Sequence, residues 1–314
     1  MPTPLVAILA TGGTIAGAAT RPGDDASYVA AQFGVAQLIA AVPALAGRPL
    51  EAEQVAQLDS KDMTHAVWQQ LAHRCAHHLA RPEVAGVVVT HGTDTLEETA
   101  WFLHRTLAPG KPLVLTAAMR PATSIQADGP QNLLDALALA QHAGARGVLA
   151  CVQGRAHGPA DVRKRHGSRL DAFASGEAGP VALIEQGQVR QLRPWPVGTA
   201  LGVPEARAAD WPAVIVLPSH AGLATGMAQA LVQAAIAQGA RGLVIEGTGN
   251  GTVHSAWDGA IAAAQAAGVT VWRATRCQDG GVVGEGGLPH AQGLSAAQAR
   301  VELMLDKALG GAAA

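Results

Sequence analysis

Threonine and glycine residues cluster directly after two short apolar runs of the chain. The first cluster, TGGTIAG at residues 11–17, follows the run Leu5–Ala10. The second, THGTDTLEE at residues 90–98, follows Val87–Val89. Glycines let the backbone approach a ligand closely, and a threonine hydroxyl becomes a nucleophile when a base accepts its proton. A glycine-rich turn alone is more often only a turn, so neither cluster predicts chemistry without the other.

The second cluster contains residues with competing structural explanations. Thr95 with Glu98 matches a capping box, which predicts that a helix begins there. Thr93 and Asp94 are not needed for that cap, so they remain candidates for a site. His91 follows a strand, where a histidine is more often a hydrogen-bonded structural residue than a general base.

Two charged segments have surface explanations of their own. The segment DVRKRH at residues 161–166 is typical of a solvated surface. Its Lys164 acts as a base only where burial or neighbouring charges lower its pKa. The segment DSKDM at residues 59–63, which holds Ser60 and Lys61, is typical of a helix N-terminal cap. Read alone, neither segment predicts a site.

Metal and nucleotide sites are not indicated. His73 and His77 lie four residues apart with Cys75 between them, a spacing that could hold a metal. No second ligand cluster accompanies them, so an amphipathic helix with exposed histidines is the better interpretation. The first glycine turn lacks both the GxGxxG spacing and the Gly-Lys-Ser/Thr ending of phosphate-binding loops. We therefore expect no metal and no organic cofactor.

Strands and helices alternate along the chain. Short uninterrupted apolar runs suit strands that are buried on both faces of a parallel sheet. Seven such runs are Leu5–Ala10, Val84–Val89, Pro112–Thr116, Gly147–Val152, Val214–Leu217, Leu243–Glu246 and Val269–Trp272. Between them, helix formers at three-to-four spacing predict helices over Val67–His78, Glu97–Leu107 and Asn132–His142. This alternation predicts an α/β fold whose ligands bind beyond the carboxyl ends of the strands.

The chain divides into two predicted domains. The proline-containing stretch Arg190–Trp211 has little periodicity and is the best candidate for a linker. We therefore predict an N-terminal domain over residues 1–190, a linker over 191–211 and a smaller C-terminal α/β domain over 212–314. The polar segment Gly17–Gly34 follows the first glycine turn and has the length of a mobile lid.

Composition excludes several classes of protein. Of 314 residues, 49% are hydrophobic and 15% charged, which is enough apolar material for a large core. The formal net charge is −2 with no basic stripe, so nucleic acid is not expected as a partner. The longest apolar runs are too short to cross a bilayer, and the N-terminal run is read as a strand and not a signal peptide. Three widely spaced cysteines favour a reducing compartment, hence a cytoplasmic location.

Together, several motifs resemble the bacterial L-asparaginase/glutaminase family. They are TGGTIAG at 11–17, THGTDTLEETAWF at 90–102, AMRPATSIQADGPQNL at 118–133, DVRK at 161–164, GTGNG at 247–251 and the tail Gly293–Leu303. They occur in order along nearly the whole chain. The resemblance implies a larger N-terminal α/β domain with a mainly parallel sheet flanked by helices, and a smaller C-terminal α/β domain. It also implies hydrolysis of L-asparagine to L-aspartate and ammonia, with some glutaminase activity.

The resemblance further implies roles for the catalytic residues. Thr14 matches the nucleophile, which forms a covalent acyl intermediate, and Tyr28 matches the lid tyrosine that activates it. Tyr28 is also the single tyrosine of the chain and lies in the segment already read as a lid. Thr93, Asp94 and Lys164 match a second cluster, in which the lysine draws a proton through Thr93. Either Tyr28 or the Lys164–Thr93 pair could supply the base.

Substrate contacts are implied in the same way. Ser60 and Asp94 match residues that bind the α-carboxylate and the α-ammonium groups, and Ala118 matches the residue whose carbonyl meets the leaving amide nitrogen. Backbone donors around Gly92 suit a developing oxyanion. Asn250 and Glu285 match residues lent by the neighbouring subunit, because the resemblance implies intimate dimers that pair into tetramers, with the sites at the intimate dimer interface.

Lys61 departs from the family pattern, which has Gln or Glu at this position to meet the α-ammonium group. A lysine repels that cation, so an unusual amide substrate is one alternative. A second alternative is an amino-acid sensor without catalysis, but a sensor does not need Thr14, Thr93, Asp94 and Lys164 together. A dinucleotide-dependent oxidoreductase and the amidase of a tRNA-dependent amidotransferase also fit poorly, since the first turn and the charge distribution do not suit them.

Overall fold

The computed structural model describes residues 4–21, 27–205, 207, 210–284 and 287–311, and the chain divides into two compact units. The first unit is Met1–Val203 and the second is Pro204–Ala314. The backbone N–H groups of Leu201 and Gly202 donate to carbonyls of a helix in the first unit. Much of the segment predicted as a linker therefore packs with the first unit.

The first unit contains twelve strands among its described residues. They are β1 (Leu5–Gly12), β2 (Ala18–Ala19), β3 (Tyr28–Val29), β4 (Leu50–Leu58), β5 (Val84–Thr90), β6 (Pro112–Thr116), β7 (Gly147–Val152), β8 (Arg155–His157), β9 (Arg163–Lys164), β10 (Phe173–Ala174), β11 (Ala182–Glu185) and β12 (Gln188–Gln191). Its helices are α1 (Val35–Ala40), α2 (His65–Leu79), α3 (Leu96–Leu107) and α4 (Gly129–Ala140). Short 3-10 helices include Thr14–Ala16 and Ser60–Asp62.

Eight of these strands form one sheet in the order β12-β11-β8-β7-β6-β5-β1-β4. The five strands from β7 to β4 run parallel, and β8, β11 and β12 continue the sheet antiparallel. In register, Ile8 of β1 lies between Ala52 of β4 and Val88 of β5. Two small antiparallel hairpins, β2–β3 and β9–β10, lie outside this sheet. The predicted mixed α/β fold with a mainly parallel sheet is confirmed.

Apolar, largely β-branched runs form the central strands because both of their faces are covered. Side chains of β1 and β5 such as Ile8 and Val88 are fully buried in the core. The edge strand β4 was not predicted, because its sequence LEAEQVAQL alternates with polar side chains. Its Glu53 accepts from the guanidinium of Arg74 in α2 at 2.7 Å and 2.8 Å. A charged edge strand of this kind lacks the uninterrupted apolar run that predicts a buried strand.

The capping of two helices differs from the sequence predictions. Helix α2 is capped by Thr64, whose hydroxyl accepts from Val67 N at 3.3 Å, while Asp59 caps the short helix Ser60–Asp62 instead. The capping box predicted for α3 is wrong. Thr95 is the N-cap residue, but its hydroxyl donates to the carbonyl of Ser60 at 2.8 Å and makes no cap hydrogen bond.

The second unit is a smaller three-layer arrangement. Its parallel strands β13 (Val214–Pro218), β14 (Gly242–Gly247) and β15 (Thr270–Thr275) lie in that order. Its helices are α5 (Thr225–Ala237), α6 (Asp258–Ala266) and α7 (Ala296–Ala308), and Trp257 is the largest fully buried side chain of its core. In the part of the chain that the structure describes, no helix is both long and apolar enough to cross a membrane.

Candidate active site

Three neighbouring parallel strands end at the same edge of the large sheet. Thr14 follows β1 in a 3-10 helix, Thr93 follows β5, and Ala118 follows β6. The Thr11 hydroxyl donates to the carbonyl of Thr90 at 3.0 Å and joins the ends of β1 and β5. The two threonine motifs therefore lie side by side, as the carboxyl-end rule for parallel sheets predicts.

Thr14 and Tyr28 form a direct hydroxyl pair. Their oxygens lie 2.8 Å apart, and Thr14 is almost fully buried while Tyr28 is about one-third exposed. Tyr28 belongs to the β2–β3 hairpin, and the chain that follows it is tied back by Ala31 N, which donates to the carbonyl of Gly13 at 3.0 Å. The segment predicted as a lid thus places a phenol hydroxyl on the candidate nucleophile.

Close packing of glycines brings the two motifs into contact. A Cβ built on Gly13 would lie 2.4 Å from Gly92 Cα, and a Cβ on Gly92 would lie 2.4 Å from Ser60 Oγ. Gly13 also has a φ of +81°, a conformation that costs side-chain-bearing residues free energy. No other residue type fits at these two positions without moving the backbone or the Ser60 hydroxyl.

Lys164 joins β9 to the second motif. Its ammonium donates to Thr93 Oγ1 at 2.9 Å and to Asp94 Oδ1 at 2.6 Å. Its backbone N–H donates to Glu97 Oε2 of α3 at 3.2 Å. The segment at residues 161–166, interpreted from the sequence as charged surface, therefore contributes one side chain to the site. Its lysine donates to a hydroxyl and to a carboxylate at the same time.

Ser60 and Lys61 lie beside this pair but differ in their surroundings. Ser60 is buried, and its hydroxyl oxygen accepts from the backbone N–H of Asp94 at 3.2 Å. Lys61 is exposed and forms an ion pair with Asp62, which raises the pKa of its ammonium. The structure therefore pairs the Lys61 ammonium with the Asp62 carboxylate. Asp94 is among the other carboxylates that raise the pKa of Lys61.

His91 is a structural residue. It is fully buried, and Nδ1 lies 2.7 Å from the carbonyl oxygen of Gly92, which can only accept, so Nδ1 carries the proton. Nε2 then accepts from the Thr99 hydroxyl at 3.0 Å, and Thr99 accepts from Trp68 Nε1 at 2.8 Å. Burial lowers the pKa of His91 to about 4, which keeps the ring neutral.

The remaining candidates are Ala118, Asn250 and Glu285. Ala118 is buried in a small cluster with Ile15 and Ala16, next to Thr14 in sequence. Asn250 belongs to the second unit, and its amide accepts from and donates to the backbone of Val283 at 2.6 Å and 2.7 Å. Glu285 lies outside the described residues.

Sequence reasoning missed three polar residues around the site. Glu97, described above, holds the backbone of Lys164. Asp128 and Asn132, at the start of α4, hold the loop that contains Ala118. Within the described residues, no group of three or more histidine, cysteine or acidic side chains could hold a metal ion. His73 and His77 are both exposed on α2.

The geometry suits nucleophilic chemistry on a polar substrate. One hydroxyl, that of Thr14, has a phenol partner, and a second hydroxyl, that of Thr93, has an ammonium partner. A buried serine and a half-exposed aspartate adjoin them. A nucleophile with a proton acceptor at hydrogen-bond distance is the arrangement that acyl transfer requires.

Comparison with known proteins gives the family. The family description "Asparaginase, N-terminal" matches residues 5–196, and "Glutaminase/Asparaginase C-terminal domain" matches residues 214–310. The chain is 36% identical over 313 residues to L-asparaginase 2 of Bacillus subtilis (strain 168), covering 96% of this chain and 82% of that protein. It is 35% identical to the glutaminase-asparaginase of Pseudomonas fluorescens biotype A, covering 88% and 77%.

A solved structure gives the same result for the fold. The crystal structure of a probable cytoplasmic L-asparaginase from Campylobacter jejuni superposes with a TM-score of 0.89 at 33% identity, covering 98% of this chain and 96% of that one. Both family descriptions lie in the expected order and together span most of the sequence. The chain belongs to the asparaginase family.

Proposed function

We propose that this protein hydrolyses the side-chain amide of L-asparagine to L-aspartate and ammonia through a covalent acyl intermediate on Thr14. The observation that carries the proposal is the 2.8 Å contact between Thr14 Oγ1 and Tyr28 Oη at the end of β1. Membership of the asparaginase family and relatives named L-asparaginase and glutaminase-asparaginase support the substrate class.

In the first half-reaction, Thr14 Oγ attacks the amide carbon and passes its proton to the Tyr28 oxygen, while the phenol passes its own proton to the amide nitrogen. Tyr28 therefore stays neutral, the carbon–nitrogen bond breaks, and ammonia leaves. Gly13 N–H already donates to the carbonyl of Leu58 at 2.9 Å, so it is not an oxyanion donor. We assign that role to backbone N–H groups at Gly92 and Thr93, beside the nucleophile.

In the second half-reaction, water attacks the ester carbon, and one of its protons passes through the Tyr28 hydroxyl to Thr14 Oγ as the ester bond breaks, which frees Thr14 and L-aspartate. We assign the Lys164–Thr93 pair to this step, because an ammonium that donates to Thr93 Oγ1 leaves the Thr93 proton free to point at another acceptor. The bond to Lys164 uses Asp94 Oδ1, so Oδ2 is the oxygen that we assign to the substrate α-ammonium. The Ser60 hydroxyl, which accepts from Asp94 N, can donate its own proton to the α-carboxylate.

Three further features belong to the proposal. Asn250 and Glu285 would complete the site of a neighbouring subunit, which requires a homodimer or homotetramer. Residues 1–190 and 212–314 would be the two domains. The location would be cytoplasmic. Sedimentation of the purified protein would test the assembly, since a monomer that retains full activity contradicts a shared site.

The deciding experiment measures ammonia release from L-asparagine, L-glutamine and D-asparagine. We expect release from L-asparagine that disappears in Thr14→Ala and is partly retained in Thr14→Ser, which keeps a hydroxyl. Preference between asparagine and glutamine rests on one methylene, worth about 1–3 kcal/mol. Activity that survives in Thr14→Ala would remove the nucleophile assignment, and no release from any of the three would contradict the proposed reaction.

A further inference from the structure

The loop at residues 117–120, between β6 and α4, is held by a buried carboxylate. Asp128 accepts from the backbone N–H of Met119 at 3.1 Å and 3.0 Å and from that of Arg120 at 2.9 Å. It also accepts from Asn132 Nδ2 at 3.1 Å. Asp128 is 6% exposed, so these bonds form away from solvent, where hydrogen bonds to a charged acceptor are strong.

Asn132 completes the clamp and is fully buried. Its Nδ2 also donates to the carbonyl of Ala117 at 2.9 Å, and its Oδ1 accepts from the backbone N–H of Gln153 at 2.9 Å. A side-chain amide has two N–H donors, and here one holds the loop while the other holds Asp128. The clamp, defined as Asp128 with Asn132, therefore binds the loop immediately before and immediately after Ala118.

The clamp determines where the carbonyl of Ala118 points. That carbonyl shares one planar peptide unit with the N–H of Met119, and the described chain contains no cis peptide bond. In a trans unit the C=O and N–H directions are opposite. Because Asp128 holds the Met119 N–H, the Ala118 carbonyl must point away from Asp128. The carboxylate also polarises this peptide, which makes its oxygen a stronger acceptor.

The same helix end contacts the segment that carries the nucleophile. A Cβ built on Gly129, the first residue of α4, would lie 2.9 Å from Ile15 Cγ1 and 3.5 Å from Ala118 Cβ. Ile15 directly follows Thr14 in the same short 3-10 helix. The start of α4 thus fixes the loop at Ala118 relative to the proposed nucleophile.

We propose that Asp128 and Asn132 are positioning residues for the leaving group. They aim and polarise the Ala118 carbonyl, which accepts an N–H of the substrate amide and orients the nitrogen for protonation as the carbon–nitrogen bond breaks. The inference rests on the proposed function and adds two residues to it. The electron pair of the broken bond stays on nitrogen, which takes its proton from Tyr28 and departs as ammonia.

An ester substrate separates this role from a structural one. L-aspartic acid β-methyl ester would form the same acyl-Thr14, but its leaving oxygen has no hydrogen to donate to Ala118. The measured quantity is the ratio of kcat/KM for L-asparagine to kcat/KM for the ester, for the wild-type protein and for Asp128→Asn and Asn132→Ala. Both rates come from one preparation, so a change in the folded fraction cancels in the ratio.

We expect both variants to lose roughly tenfold or more on the amide and about twofold or less on the ester, as small misplacements in a site do. Asp135→Asn is the matched control, because Asp135 is a buried carboxylate about two turns beyond Asp128 along α4 and accepts from the side-chain amide of Gln131. Its ratio should equal that of the wild type. Equal losses on amide and ester in both clamp variants would overturn the inference while leaving the proposed function intact. A wild-type protein active on the ester but not on the amide would overturn the proposed function itself.

Discussion

The hydroxyl oxygens of Thr14 and Tyr28 lie 2.8 Å apart, which couples the end of strand β1 to the hairpin that follows it. Because the hairpin places the phenol on an otherwise buried hydroxyl, closure of the predicted lid would bring the proposed base to the proposed nucleophile. A lid that carries a catalytic group would then exclude water only when the reaction can proceed.

Tyr28→Phe removes one oxygen and keeps the ring. We expect kcat for L-asparagine to fall by about a hundredfold or more, because a positioned proton-transfer group contributes in that range, with KM little changed. Steady-state ammonia release measures both constants. Thermal unfolding serves as the control, since the exposed Tyr28 should add little to stability. A variant within twofold of wild-type kcat would assign activation of Thr14 to another group.

Lys164→Met tests the second cluster. Without the ammonium, Thr93 loses its donor and Asp94 its ion pair, so we expect kcat to fall by about a hundredfold. Lys164→Arg should not restore activity, because a planar guanidinium does not reproduce the two bonds that the compact ammonium makes to Thr93 and Asp94. Lys111→Met is the matched control, as Lys111 donates to the carbonyls of Arg81 and Val84 away from the site. We expect it to lower stability and leave kcat unchanged.

The ion pair of Lys61 with Asp62 gives a test of substrate binding in two directions. Removing the cation in Lys61→Gln should lower KM for L-asparagine by a factor of about two to ten, because the repulsion of the α-ammonium disappears. Asp62→Asn frees Lys61 and should raise KM instead. Both effects should shrink in high salt, since exposed charges are screened. An unchanged KM in Lys61→Gln would show that this lysine does not act on the substrate.

The sequence was sufficient to predict the strands whose residues are selected by burial alone. All seven predicted strands are present, because central parallel strands must be apolar on both faces. Strand β4 was missed because an edge strand tolerates Glu51 and Glu53, which pair with Arg81, just after α2, and with Arg74 of α2. The capping box predicted from Thr95 and Glu98 also failed. The Thr95 hydroxyl donates to the carbonyl of Ser60, 35 residues earlier, and makes no cap hydrogen bond to its own helix. A local rule cannot anticipate a partner that only the folded chain supplies.

The residues of the candidate site also divide into those that the sequence indicated and those that it did not. Spacing after β1 and β5 indicated Thr14 and Thr93, whereas the resemblance was needed for Lys164, whose segment is charged like a surface. Asp128 and Asn132 gave no signal of their own, because their partners are backbone groups of another loop. A buried polar residue is recognisable only once its surroundings are known.

Stability should depend on pH through two buried histidines and one partly buried histidine. Burial lowers the pKa of His91, His104 and His157 from 6.5 to about 4 in the folded protein. Between these values the unfolded chain binds protons that the folded protein does not, so stability is complete above about pH 6.5 and is lost as pH falls towards 4. Each histidine contributes a slope of up to about 1.4 kcal/mol per pH unit.

Urea unfolding between about pH 7 and pH 5 measures this slope. His157→Gln should flatten it by up to one proton, whatever its effect on stability at neutral pH. His73→Gln is the control, because it removes a histidine from the exposed surface of α2 and not from the interior. Identical slopes in His157→Gln and the wild type would mean that His157 is protonated equally in both states.

The contact between Gly13 and Gly92 is the last relationship that a substitution can test. An alanine Cβ at Gly13 would lie 2.4 Å from the backbone of Gly92, at a φ of +81°. The backbone conformation alone costs about 1–2 kcal/mol, and separating the two motifs adds to it. Gly13→Ala should therefore lose about 3 kcal/mol of unfolding free energy in urea and nearly all ammonia release.

Gly110→Ala, with nothing within 4 Å of its Cβ and no positive φ, should stay within about 0.5 kcal/mol of the wild type and be fully active. Because both changes add one methyl group, a Gly13→Ala protein that matched Gly110→Ala in activity would show that the two threonine motifs need not touch for the reaction to proceed.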